Sequence, residues 1–149
     1  ATTMAGIVYS IDLNNFSASK WFSINNGGTM NTEEVAKKVV ELTRKQAWYD
    51  ALDLYDDNVV SMEASGMGGS PETRGKDGVR GKVDWWVNSM DVHSFDVQGP
   101  FVAHDRFVVQ YDADVSDKKT KQRHKMSEVG VYTVKDGKIV REEFLPRVS

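Results

Sequence analysis

From Asp91 to the end of the chain, apolar and polar residues alternate with period two, and each interruption falls on residues that turn a chain. His93, Phe95 and Val97 alternate with Ser94, Asp96 and Gln98 up to Gly99-Pro100, which breaks or bulges that strand. After a turn at His104-Asp105, Phe107, Val109, Tyr111 and Ala113 alternate with Arg106, Val108, Gln110 and Asp112. Ser116–Thr120 is a charged hairpin tip, and Gln122–Val134 is a long strand. Asp136-Gly137, between two strand patterns, predicts a type I′ hairpin. The last strand is Ile139–Val148. Four strands joined by hairpin turns leave little choice beyond an antiparallel meander.

The first half has a different period. Asn31 and Glu34 match a capping box, followed by an apolar stripe of Val35, Val39 and Leu42. Trp48, Ala51, Leu52 and Tyr55 share the face of a second short helix. Asp56-Asp57-Asn58 is expected to stop that helix, with a strand from Val59 to Ser65. Gly66–Ser70 reads as a loop; it lacks the Lys-Ser/Thr that must follow the glycines of a phosphate loop. A third helix is expected over Gly75–Met90, with Val79, Val83, Trp86 and Met90 as its stripe. Helices first and a meander after them predict an α+β fold with one curved antiparallel sheet. Apolar residues on both faces of some strands, such as Val108 beside Val109 and Val129 against Met126, predict that the second sheet face is covered by another subunit.

At 149 residues the chain suits one domain with a substantial core. A net charge of −3 sets up no field that would draw in nucleic acid or an acidic membrane. Lys118–Lys125 is basic, but Asp112, Asp114 and Asp117 can pair with it across the hairpin. It also lacks the interleaved aromatics that a single-stranded nucleic acid would need. No apolar run is long enough for a membrane span, and Ala1–Ser10 lacks the positive start and long apolar core of a signal peptide. Cysteine is absent, which excludes disulfides and cysteine-ligated zinc, and the expected setting is cytoplasmic. Residues 1–29 are poor in charge and read as an arm or a β-hairpin, with the main domain over 30–149. Because Ala1 is not an initiator, a processed or added leading stretch is expected, and Met30 would serve as a start for the core domain.

The runs Gln46–Ala64, Thr73–Trp86 and Val131–Phe144 resemble the SnoaL-like branch of the nuclear-transport-factor-two-like superfamily, which includes ketosteroid isomerase and polyketide cyclases. The resemblance covers about Asn31–Val148. It implies a cone-like sheet wrapped around three helices, a ketosteroid-isomerase-like or cystatin-like barrel. It also implies a pocket between sheet and helices, and a homodimer, which the outer sheet face would form. In the ketosteroid isomerase pattern the strand after the Asp-Asp stop carries the general base, which falls here at Glu63. The oxyanion-hole tyrosine of the first helix falls near Val39, so that donor is missing. The acid of the long strand falls near Glu128 or Val129.

Read as chemistry, Glu63 is the first candidate acid/base, since a carboxylate desolvated in a pocket moves toward neutrality. The alternative is a solvated carboxylate paired with Arg74 or Arg80. Glu128 and His124, with Met126, lie on one face of the long strand and form a second candidate pair; the alternative is an ion pair of Glu128 with Arg141 or Lys138. His93, Trp86, Phe95, Tyr111, Met126 and Tyr132 are candidate pocket walls for a small, fairly apolar ligand. His93, His104 and His124 have no metal spacing, and neither a metal nor another cofactor is expected. Two readings follow: a protein that binds such a ligand without turnover, or a cofactor-free isomerase, cyclase or lyase using Glu63.

Overall fold

The computed structural model describes residues 28–64 and 71–147. Residues 1–27 of the expected arm (1–29), and the expected loop, Gly66–Ser70, lie outside them. Helix α1 (Thr32–Arg44) opens as the capping pattern requires, with Asn31 Oδ1 accepting the Glu34 N–H at 2.8 Å. Its stripe of Val35, Ala36, Val39 and Val40 is buried. The second helix, α2 (Trp48–Ala51), runs into a 3-10 turn, Leu52–Leu54.

Strand β1 (Tyr55–Glu63) then begins at Tyr55 rather than at Val59. Asp56-Asp57-Asn58 does not precede the strand; it forms an irregularity inside it, where pairing slips from Tyr55↔Ile139 to Val60↔Arg141. Asp56 Oδ2 accepts the Asn58 N–H at 2.9 Å, so the aspartate supplies a local bond where the ladder is interrupted. A short edge strand, β2 (Glu72–Arg74), which the periodicity does not reveal, pairs antiparallel with β1. Helix α3 (Lys76–Ser89) follows Gly75, whose φ of +82° suits glycine and whose N–H donates to the Val59 carbonyl at 2.7 Å.

The meander has the expected parts: β3 (Met90–Ala103), β4 (Arg106–Asp117), β5 (Arg123–Lys135) and β6 (Lys138–Pro146). Asp136 (φ 51°) and Gly137 (φ 76°) both lie in the left-handed region, as a type I′ turn demands. Gly99-Pro100 is a cis peptide at a register shift in β3. Across the hairpin tip Arg123 makes a two-pronged pair with Asp114 at 2.9 and 3.0 Å, so part of the basic cluster is neutralised as expected.

The six strands form one curved sheet in the order β2-β1-β6-β5-β4-β3. The α+β class holds. One pairing departs from the expected antiparallel pattern: β1 runs parallel to β6, because the chain passes through β2, α3 and the meander before returning beside β1. The core lies between the helices and the inner sheet face, around Val35, Leu52, Val59, Phe107, Val109 and Ile139. On the outer face Val108, Val129 and Val131 are half-buried. Phe101, 65 % exposed, pairs across β4 with Val108, which pairs with Val131; Val129 pairs with Leu145. Among the described residues no helix is long and apolar enough to cross a membrane.

Candidate functional site

Three strands and one helix bring carboxylates and a single lysine together on the inner face of the sheet. Val59 and Ser61 of β1 are buried, so the same alternation turns Glu63 inward. On β5, Gly130, Tyr132 and Val134 are buried, and the same period places Glu128 inside and Val129 outside. Ser61 lies beside Glu142 in the parallel ladder, and Glu142 lies beside Tyr132. In the next row Glu63 lies beside Phe144, and Phe144 beside Gly130.

Lys82 reaches down from α3 onto this grid. Its Nζ is 2.7 Å from Glu63 Oε1 and donates to Ser61 Oγ at 2.7 Å. It also sits 5.1 Å from the centre of the Phe144 ring, close enough for a cation–π contact. Beneath it Glu142, only 2 % exposed, accepts from Ser61 Oγ at 2.7 Å and from the Tyr55 hydroxyl at 2.5 Å. A buried carboxylate is tolerated when donors satisfy both oxygens, and here they do. Burial, aided by the charge of Glu63, raises the Glu142 carboxyl above its ordinary value, and the bonds from Tyr55 and Ser61 and the charge of Lys82 offset this only in part. Burial also lifts Glu128, to about 7, aided by the charges of Glu63 and Glu142 and opposed by Lys82. A carboxyl that titrates there can give or take a proton at neutral pH.

The aromatic residues divide into two groups. Trp48, Trp86 and Phe95 meet edge to face, with ring centres 5.0 to 6.5 Å apart. Phe95 leads on to Tyr111 at 5.8 Å, whose hydroxyl is 2.6 Å from that of Tyr132. Tyr111 and Tyr132 are 5 % and 2 % exposed, so they fill the interior. Gly130 makes this possible: a Cβ there would come within 2.8 Å of the Tyr132 ring and 3.1 Å of the Tyr111 ring. Met126 packs with Met90, Ala113 and Val115 in a second apolar cluster. Trp85 and Phe101 are exposed. Two open grooves lie elsewhere, one along Asp114 and Arg123–Lys125, the other between α1 and Gly99-Pro100. The carboxylate cluster is a partly exposed patch of inner sheet face.

Of the acid/base candidates, Glu63 pairs with Lys82, whose charge also acts on Glu128; among the described residues neither forms an ion pair with the Arg74, Arg80, Arg141 or Lys138 weighed from the sequence. His124 has the inward parity of β5 but lies at the open hairpin end, exposed and next to Arg123. Four residues of strand, about 13 Å, separate it from Glu128. His93 is exposed as well, with Nε2 2.6 Å from Ser116 Oγ. The pairing shifts between Val92 and Ser94, so His93 is the extra residue of a bulge, and the alternation that would have turned it inward is broken there. Lys82, Glu142, Ser61 and Tyr55 were not anticipated. The available signal for Lys82 was a lysine within the apolar stripe Val79, Val83, Trp86. Glu142 was hidden by a register shift between Thr133↔Arg141 and Val134↔Ile139, which lets both Ile139 and Glu142 face inward. Among the described residues no group of three or more His, Asp or Glu is placed to hold a metal.

A family model for the SnoaL-like domain matches residues 30–145. A protein from Mesorhizobium loti, provisionally named a SnoaL-like polyketide cyclase, is 38 % identical over 78 % of this chain and 99 % of its own, with a TM-score of 0.73. An NTF2-like protein from Burkholderia thailandensis aligns at 17 % identity over 79 % of this chain and 92 % of its own (TM-score 0.67). TerC, co-crystallised with polyporic acid, aligns at 18 % identity over 78 % and 91 % (TM-score 0.62). No curated protein matches the sequence. With the domain match spanning most of the chain, and helices and curved sheet arranged as in these relatives, the chain belongs to the SnoaL-like family of the nuclear-transport-factor-two-like superfamily.

Proposed function

We propose that this chain is a cofactor-free proton-transfer catalyst for a small, largely apolar carbonyl compound, acting as an isomerase, cyclase or lyase. The observation that supports it most is Glu128, half-buried on the inner sheet face, whose carboxyl burial lifts to about 7 within the field of the cluster's lysine. In this reading Glu128 takes a proton from the carbon beside the carbonyl. The electron pair moves onto the carbonyl oxygen, and Lys82 faces the negative charge that develops there. Glu128 then returns the proton, either to a different carbon or after a new carbon–carbon bond has formed or an old one has broken. Glu63, whose oxygen is committed to Lys82, anchors the lysine, and the base role moves to Glu128, the second carboxylate candidate. The half-exposed Phe144 and Trp86 offer apolar surface to the ligand.

Two comparisons bear on this reading: the Mesorhizobium relative is named as a polyketide cyclase, with carbohydrate phosphatase beside it, and TerC of the same fold was co-crystallised with polyporic acid. The filled interior around Tyr111 and Tyr132 favours a second reading, in which the ligand is bound at the patch without turnover. A homodimer through the outer sheet face is part of the proposal, supported by the exposed strip of Phe101 and Leu145. A cytoplasmic setting suits a chain without cysteine.

The test is hydrogen–deuterium exchange at the acidic carbon of a panel of 1,3-dicarbonyl compounds, followed by NMR. The expected result is exchange accelerated by the protein and lost in Glu128→Gln. Binding without acceleration would favour the second reading, and neither binding nor exchange across the panel would sink both.

A further inference from the structure

The wiring behind Lys82 has a direction. The Lys82 ammonium has only hydrogens to offer, so at 2.7 Å it donates to Ser61 Oγ. That leaves the hydrogen of Ser61 free to go to Glu142 Oε1, also at 2.7 Å. Burial and the charge of Glu142 hold the Tyr55 hydroxyl well above its ordinary range, so it keeps its proton and donates it to Glu142 Oε2. Both oxygens of Glu142 therefore act as acceptors, the arrangement that suits a carboxylate. Glu63 is satisfied by Lys82. Glu128 is the third carboxyl, and it is shifted by burial and by neighbouring charges, with no hydrogen bond among the causes.

We propose that Glu142, with Ser61 and Tyr55, is a buried positioning unit that fixes Lys82 against Glu63 and leaves the exchangeable proton of the cluster on Glu128. The inference rests on the proton-transfer reading above. It adds that the lysine facing the substrate is held from behind by a carboxylate the substrate never touches. Around Glu128 the ionisable groups are Glu63 from β1, Lys82 from α3, Tyr111 from β4 and Glu142 from β6. Glu142 stabilises the protonated form of Glu128 by its negative charge and by drawing on the lysine through Ser61. If Glu142 loses its charge, or if Ser61 no longer links it to Lys82, the lysine is freer to serve Glu128.

The experiment is an NMR titration of the Glu128 carboxyl carbon in the full chain, assigned by its loss in Glu128→Gln, for the unmodified protein and for Glu142→Gln, Ser61→Ala and Tyr55→Phe. Glu142→Gln is expected to lower the Glu128 midpoint by roughly one pH unit, and the other two to lower it by less. A purely structural role would reduce thermal stability and leave the midpoint of the folded protein in place. A midpoint unmoved in every variant that folds would overturn the proposal; should Glu142→Gln not fold, Ser61→Ala and Tyr55→Phe decide it. The titration needs no substrate, so the two readings fail separately. A midpoint near 7 that ignores all three substitutions removes only the positioning unit. A midpoint in the ordinary carboxylate range removes Glu128 as the base and the proposal with it.

Discussion

Lys82 Nζ and Glu63 Oε1 lie 2.7 Å apart, and this contact ties helix α3 to the C-terminal end of strand β1. Both side chains keep about a third of their surface exposed, 28 % and 32 %. The pair is therefore screened in part, and its main effect is on the neighbouring carboxyls, since Lys82 lowers both Glu128 and Glu142.

Lys82→Met keeps the stem of the side chain and removes the charge. The Glu128 midpoint should rise by roughly one unit above its starting value, read by NMR titration. Stability at neutral pH should fall by about 1–2 kcal/mol, because Glu142 then lacks a nearby balancing charge. Urea denaturation measures the second effect, and an unchanged denaturation curve together with an unchanged midpoint would show that Lys82 does not govern the cluster.

Glu128 also makes stability depend on pH with a defined sign. Its folded-state value of about 7 lies above the ordinary 4.5, so between these values the folded state binds more protons than the unfolded state. Stability from this group is greatest below pH 4.5 and is lost as pH rises through 7, by up to about 3 kcal/mol. Glu128→Gln should accordingly stabilise the protein at pH 8 and change little at pH 4. Thermal melts at both values check this; equal shifts at the two would contradict it.

Gly130→Ala should destabilise the protein by about 1–3 kcal/mol, because the new methyl meets buried tyrosine rings on both sides. Paired with Tyr132→Phe the cost should not add, since both changes act on the Tyr111–Tyr132 contact. Chemical denaturation of the two single variants and the double variant measures the coupling.

The outer face gives a prediction about assembly. Phe101 and Val131 flank Val108 across three strands, so Phe101→Lys with Val131→Lys places two charges in one apolar strip. If that strip joins two copies, sedimentation should show a dimer for the unmodified chain and a monomer for the double variant. A dimer that survives the substitutions would place the interface elsewhere.

The N-cap at Asn31, the stripe of α1, the four meander strands and the Asp136-Gly137 turn were legible because each rests on contacts within a few residues. Glu63 and Glu128 were legible only as candidates, because the face each takes depends on where its strand's alternation starts: buried Val59 and Ser61 set it for Glu63, and buried Gly130 and Tyr132 for Glu128. His93 and Glu142 were misplaced or missed at register shifts, where one extra residue reverses the face of all that follows. Those shifts depend on how a neighbouring strand pairs, and the chain's own pattern does not mark them.

The sequence alone therefore determined the class of fold, because periodicity and turn chemistry are local. It named Glu63 and Glu128 as candidates and left open whether each would face the inside of the sheet. Only the tertiary structure decided which partners they meet there. Parallel pairing of β1 with β6 set Ser61 beside Glu142, and α3 lowered Lys82 between Ser61 and Glu63. Those contacts join residues from 19 to 81 positions apart, and it is the summed charge and burial around them that move Glu128 toward neutrality.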